Sequence, residues 1–177
     1  MDDDRREKAE KLLHEVLGEP APASTWHRLR ADVLELAATT EHHIDEILAA
    51  GTARTIAHGD RLAADVLWRL QTNVRLKLLE ELMERYGLDD EFPFVIPVLR
   101  RLFDFRHLLA HGHALPVRLD LQPLTLRVQT VRRGQMEERR YLLTEVAWLV
   151  RQVDVVQREL AQVWAVVAPD DPAWHEM

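Results

Sequence analysis

Apolar side chains recur every three or four residues through long stretches of this 177-residue chain. This spacing places them on one face of an α-helix. It predicts long helices over about 25–50, 60–86 and 144–167, and shorter helices over 3–17 and 94–111. A helix with one apolar face gains most of its stability by packing that face against other elements. The chain is therefore predicted to be all-α, an antiparallel helical bundle of about five helices.

The period of the pattern changes between the fourth and fifth predicted helices. Residues 124–131 alternate toward a period of two and include β-branched side chains, which is typical of a strand. A turn around Gly134 follows, and residues 136–142 form the returning segment. We therefore expect a β-hairpin, inserted over 117–142 before the last helix, without any larger sheet.

The length of the chain fits a single domain, 1–177, with one core. Residues 1–20 are expected to form an accessory N-terminal helix, and 169–177 a frayed tail. No apolar run approaches the roughly 18 residues of a membrane span. The charged N-terminus is not followed by the apolar core of a signal peptide. We therefore expect a cytoplasmic protein that does not associate with a membrane.

Composition limits the chemistry that the chain can perform. It contains no cysteine, which excludes disulfides and thiolate metal sites. Its net charge of −7 argues against a protein that coats nucleic acid non-specifically. The charge is uneven, however, because residues 94–140 contain nine arginines and only four acidic residues. This segment predicts a local phosphate-binding patch, with Arg100, Arg101, Arg132 and Arg133 as candidate RNA-binding residues.

The basic segment contains Arg106 and His111, near the end of an apolar helix. Arginine binds phosphate through a planar, permanently charged fork, and histidine transfers protons near neutral pH. Together they could break a phosphodiester without a metal ion. Residues five positions apart on a regular helix point about 140° away from each other. The two side chains can therefore converge if the helix unwinds at His111, before Gly112, or if two copies of the helix meet across a two-fold axis.

Arg106, four intervening residues and His111, within the run Ala110-His111-Gly112, closely resemble the signature of the HEPN family (higher eukaryotes and prokaryotes nucleotide-binding). The position of the motif, at the end of the penultimate helix of an all-α chain, also resembles that family. The resemblance implies a single HEPN-like domain that forms homodimers, with the two motifs facing each other in a cleft. It also implies catalytic roles for Arg106 and His111, without a cofactor or a metal ion.

The same resemblance suggests supporting residues. The family usually has asparagine or another small polar residue after the arginine, where this chain has His107. HEPN domains often carry an acidic residue on an earlier helix that orients the motif arginine, and Glu41 or Asp45 could be that residue.

A candidate metal site is formed by His42 and Glu46, which lie one helical turn apart and could share an ion. No third ligand follows at a recognised spacing, so no metal site is predicted.

These features favour a metal-independent HEPN-like endoribonuclease that acts as a homodimer, as a toxin or as a defence or stress effector, with an antitoxin protein as a candidate partner. The nucleophile would be the RNA 2′-hydroxyl, so the products would carry a 2′,3′-cyclic phosphate and a 5′-hydroxyl, and DNA would not be cut. The alternative is a non-catalytic HEPN-like module that binds a nucleotide, RNA or a protein. A third interpretation is an unrelated helical bundle in which the motif is accidental.

Overall fold

The computed structural model describes residues 24–53, 55–115, 125–132 and 135–168. The helices in these ranges are α1 (Ser24–Thr52), α2 (Ile56–Asp65), α3 (Thr72–Tyr86), α4 (Val95–His111) and α5 (Leu143–Val167), and the strands are β1 (His113–Leu115), β2 (Thr125–Arg132) and β3 (Gln135–Leu142). The predicted fold class, helical with a hairpin before the last helix, is confirmed. The helix predicted over 3–17 and the tail over 169–177 lie outside the described residues. Of the described helices, none combines the length and the apolar character that crossing a membrane requires.

One compact unit comprises residues 24–37 and the described residues of 104–152, and it contains the sheet. β2 and β3 pair antiparallel along their whole length, with Arg132 opposite Gln135. This pairing confirms the predicted hairpin before the last helix, whereas the turn predicted at Gly134 lies outside the described residues. Leu126 and Val128 of β2 are fully buried, so the alternation of apolar residues seen in the sequence corresponds to a buried face of the strand.

The sheet is larger than the sequence predicted. β1 pairs antiparallel with β2, with Ala114 opposite Val128, and the strand order is β1-β2-β3. The expectation of a hairpin without a further strand is therefore wrong. α4 ends at His111, and the chain then runs directly along the free edge of β2. A strand of three residues is too short to show an alternation of its own, which is why the pattern does not reveal it.

A second compact unit comprises the described residues of 38–103 together with residues 153–168. The apolar faces of parts of α1, α3, α4 and α5 form its core. Its most deeply buried large side chains are Ile44, Ile47, Leu79, Met83, Leu99, Leu102 and Leu160. Each such side chain contributes about 1.5–3 kcal/mol relative to an exposed position, so these buried faces stabilise the unit.

The single helix predicted over 60–86 is wrong, because the chain forms two helices there. α2 ends at Asp65, Leu67–Arg69 form a turn of 3₁₀ helix, and α3 begins at Thr72. Between them Leu70 and Gln71 are extended, with ψ angles of 144° and 146°. Because of this break, the face of α3 that is buried need not continue the apolar face of α2.

The break also changes which side chains of α3 are buried. A continuous apolar stripe would bury Val74 and Leu78, but both are exposed, while Leu76 is buried. Arg75 lies beside Leu76 and donates a hydrogen bond to Asp45 of α1 at 3.0 Å. This contact holds Arg75 towards α1, and the buried stripe of α3 consists of Leu76, Leu79, Leu82 and Met83.

Candidate active site

The candidate catalytic residues, Arg106 and His111, lie in the last two turns of α4, within the first unit. The helix continues to His111, and the amide of Gly112 still donates to the carbonyl of Leu108 at 2.8 Å. The helix therefore does not unwind before His111, which was one of the two ways in which the pair could converge. Within one chain, five positions of regular helix keep the two side chains about 140° apart.

His107, rather than Arg106, shares a face of α4 with His111. The ring centroids of His107 and His111 are 4.7 Å apart, and the ring planes are tilted by 56°. Both histidines are exposed, whereas Arg106 is half-buried. The spacing of four residues was a signal for this pair, because side chains four apart lie one above the other on a helix. The end of α4 therefore presents two imidazole rings to solvent.

Gly112 determines how closely the end of α4 approaches the sheet. It is buried, and a Cβ atom at this position would lie 2.4 Å from Val128 Cγ1 and 2.6 Å from the carbonyl oxygen of Leu108. Both distances are far shorter than a contact between non-bonded heavy atoms. The lack of a side chain thus allows β2 to pack against the end of the helix, and this contact supports the backbone that carries His111.

Arg30 of α1 places a second guanidinium group at the end of α4. Its Nη2 donates to the carbonyl of Ala110 at 3.4 Å, across 80 positions of sequence. Carbonyl groups in the last turn of a helix have no partner within the helix, and the helix dipole attracts cations to this end. Sequence reasoning missed Arg30, because only the folded chain brings α1 to the motif. Positive charge at this end of α4 therefore comes from both Arg106 and Arg30.

The hairpin adds basic residues to the same unit, and an acidic residue partly neutralises them. Arg127 and Arg140 are cross-strand partners, and Glu138 Oε1 lies 4.0 Å from Arg127 Nη1 and 2.9 Å from Arg140 Nε. Arg139 lies opposite Val128 and is exposed. Because side chains alternate between the two faces of a strand, Arg139 belongs to the hairpin face that packs against the end of α4.

The four predicted RNA-binding arginines lie in different parts of the chain. Arg100 and Arg101 are exposed on α4, in the second unit. Arg100 Nη2 donates to Glu80 Oε2 at 2.7 Å, which neutralises part of its charge. Arg132 ends β2, but its side chain and the whole of Arg133 lie outside the described residues. A role of these arginines in binding RNA stays a prediction.

The predicted supporting acids, Glu41 and Asp45, lie on α1 in the second unit, where they contact Arg75. Asp45 Oδ2 accepts a hydrogen bond from Arg75 Nη1 at 3.0 Å, and Glu41 Oε1 lies 4.0 Å from Arg75 Nη2. Glu41 Oε1 also accepts from the hydroxyl of Thr72 at 2.6 Å. Burial raises the pKa of Asp45, and the positive charge of Arg75 opposes that rise. Orientation of Arg106 by either acid stays a prediction, whereas the contacts with Arg75 give both acids a part in folding.

The described residues contain no group of three or more histidine, cysteine, aspartate or glutamate side chains that could hold a metal ion. His42 and Glu46, the pair considered from the sequence, form an exposed contact in which His42 Nε2 lies 3.2 Å from Glu46 Oε1. This contact is an ordinary i, i+4 pair on the surface of α1.

Comparisons with protein-family models, with curated proteins and with solved structures found no match for this chain. The resemblance to the HEPN family therefore rests on the motif residues themselves. It rests also on their position at the end of the penultimate helix, which the structure places at α4.

Proposed function

We propose that this chain is a metal-independent HEPN-like endoribonuclease that acts as a homodimer in the cytoplasm. The observation that carries the proposal is the end of α4, where the exposed rings of His107 and His111 lie 4.7 Å apart and where Arg106 and Arg30, which binds the carbonyl of Ala110, add positive charge to the same turns of helix. Imidazole groups for proton transfer next to permanent positive charge suit the cleavage of a phosphodiester. A biological role as a toxin or defence effector, with an antitoxin as partner, belongs to this proposal.

The proposed reaction is an internal transfer of the phosphodiester. The RNA 2′-oxygen attacks phosphorus while a general base removes its proton, and the bond from phosphorus to the 5′-oxygen breaks as a general acid protonates that oxygen. His111 is the base or the acid, and Arg106 stabilises the negative charge on the non-bridging oxygens in the transition state. The products carry a 2′,3′-cyclic phosphate and a 5′-hydroxyl, so no redox step or co-substrate is needed.

The geometry of α4 favours a site that two chains share. In an in-line displacement the attacking and leaving oxygens lie on opposite sides of phosphorus, so the acid and the base must also lie on opposite sides. His107 and His111 are side by side on one helix face, with ring centroids 4.7 Å apart. A second copy of the motif across a two-fold axis supplies the opposing group, and it also brings an Arg106 towards a His111.

The proposal is tested by incubating the purified protein with a labelled single-stranded RNA in the presence of EDTA. We expect cleavage, a 2′,3′-cyclic phosphate on the upstream product, and no cleavage of the DNA oligonucleotide of the same sequence. An RNA with a single 2′-deoxy nucleotide at a mapped cleavage position is the sharper control, because it should resist cleavage at that bond alone. Persistent absence of cleavage across a panel of RNAs, with the protein folded and dimeric, would replace this proposal by the non-catalytic alternative.

The proposed site also predicts the state of assembly. We expect sedimentation equilibrium to show a dimer at micromolar concentrations of protein, because the two motifs must face each other to place an acid and a base on both sides of the phosphate. A monomer at high micromolar concentration, in a preparation that nonetheless cleaves RNA, would contradict the shared site.

A further inference from the structure

His107 and His111 have the spacing of a two-histidine chelate on a helix. Their rings are exposed, one turn apart, with centroids separated by 4.7 Å. Two imidazoles that bind one tetrahedral Zn²⁺ through Zn–N bonds of about 2.0–2.1 Å have ring centres roughly 5 Å apart. The observed separation is therefore close to the one that a shared ion requires. Histidines at i and i+4 on one helix face are also the spacing of a known zinc-binding motif.

From this geometry we infer that His107 and His111 together bind a divalent transition-metal ion such as Zn²⁺, and that the ion inhibits the proposed ribonuclease. The inhibition rests on the proposed function, whereas the binding does not. A bound ion occupies the imidazole nitrogen lone pairs that proton transfer requires, so His111 can no longer act as base or acid. The bound ion therefore prevents the proton transfer that the metal-free imidazoles would perform.

The surroundings of the pair favour a cation. Asp104 is exposed and lies three positions before His107, on the same stripe of the helix surface, where its carboxylate adds negative charge about one turn away. The pair also lies in the last turns of α4, where the helix dipole favours positive charge. No further His, Cys, Asp or Glu among the described residues completes a set of three with them, so water fills the other positions and binding is reversible.

The ligand chemistry predicts which ions bind. Two imidazoles suit Zn²⁺, Ni²⁺ and Cu²⁺, with Cu²⁺ the tightest in the usual order of stability. Mg²⁺ prefers oxygen ligands and keeps most of its water. Mg²⁺ is therefore a matched negative control, because it carries the same charge and differs in its affinity for imidazole.

Binding is tested by titrating Zn²⁺ into wild-type protein and single variants against a chromophoric chelator. We expect one ion per chain in the wild type, and loss of that ion in both His107→Ala and His111→Ala. The control is His58→Ala, which removes another exposed histidine, on α2, and should leave the ion bound. His107 and His111 are exposed, so their replacement should leave the fold intact, and circular dichroism of each variant checks this. Equal binding of Zn²⁺ by wild type and His107→Ala would overturn the chelate.

The activity measurement separates this inference from the proposed function. If the wild type cleaves RNA in EDTA, we expect Zn²⁺, and not Mg²⁺, to lower the rate in proportion to the fraction of chains that hold the ion. Cleavage that is unaffected at saturating Zn²⁺ would overturn the inhibition. If the protein cleaves no RNA but binds Zn²⁺ through both histidines, the chelate stands and the ribonuclease proposal falls.

Discussion

Replacing His111 with alanine is expected to lower the rate of RNA cleavage by about 10²–10⁴-fold, which is the usual contribution of a positioned acid or base. The side chain is exposed at the last residue of α4, so its removal creates no cavity and should leave the free energy of unfolding nearly unchanged. The measurement is the initial rate of cleavage of one labelled RNA in EDTA, with urea denaturation of the same preparations.

Two further variants sharpen this test. Arg106→Lys keeps the positive charge but lacks the planar fork that binds two phosphate oxygens, so we expect it to be nearly as inactive as His111→Ala. His58→Ala removes an exposed histidine from α2 and should cleave like the wild type. Equal rates for wild type and His111→Ala would show that the activity comes from a contaminating nuclease.

Much of the fold could be predicted because apolar spacing reports directly on which face of a helix is buried. The bounds predicted for the first long helix, the motif helix and the last helix agree with α1, α4 and α5 to within two residues. The hairpin was predictable for the same reason, since the buried residues Leu126 and Val128 alternate with more exposed neighbours. In each case one periodic signal covers the whole element.

The parts that could not be predicted depend on contacts between distant residues. The break between α2 and α3 leaves α3 facing the core with a different stripe, and apolar spacing does not report the contact between Arg75 and Asp45, 30 positions apart, that accompanies it. β1 pairs with β2 through backbone hydrogen bonds, and the periodicity of side chains gives no information about such pairing. Arg30 reaches the motif from 80 positions away, and nothing in the sequence around it indicates that contact.

The candidate site also has one part that the sequence predicts and one part that only the structure shows. Arg106 and His111 stand out in the sequence because their chemistry is specific, and their resemblance to a known motif identifies them without any structure. Their relation to His107 is a matter of geometry. Because α4 is helical as far as His111, the spacing of four residues places His107 and His111 on one face of the helix. Arg106 lies on a different face. The same geometry is the basis of the proposed shared dimer site and of the proposed metal chelate.

The largest effect on stability is expected from Arg75→Ala, which should lower the free energy of unfolding by about 3–5 kcal/mol. Arg75 is only 11% exposed and contacts Asp45, which is 13% exposed, and Glu41. Without the guanidinium group, the largely buried Asp45 carboxylate loses the donor of its 3.0 Å hydrogen bond, and Asp45 Oδ1 already accepts no hydrogen bond from any described residue. The measurement is urea denaturation at pH 7, with far-UV circular dichroism as the signal.

Arg100→Ala is the matched control, because it also removes an arginine from an ion pair. Arg100 Nη2 lies 2.7 Å from Glu80 Oε2, a closer contact than Arg75 makes, but the Arg100 side chain is 55% exposed. Exposed pairs contribute about 0–1 kcal/mol, so this variant should be nearly as stable as the wild type. A loss of similar size in both variants would show that burial does not decide the strength of these pairs.

The loss of unfolding free energy in Arg75→Ala should also depend on pH. Burial already raises the pKa of Asp45, and Arg75 is the main influence that lowers it, so removing Arg75 raises this pKa further. A carboxyl whose pKa is higher in the folded than in the unfolded chain favours folding below its unfolded pKa, and that contribution is lost as the pH rises through its folded pKa. The variant should therefore lie closest to the wild type near pH 4 and fall furthest below it near pH 7. Adding Asp45→Asn removes the buried charge that has lost its partner, so the double variant should recover part of the lost stability at pH 7 and little at pH 4. A deficit that is constant across this range would mean that Arg75 stabilises the second unit through packing of its alkyl chain rather than through its charge.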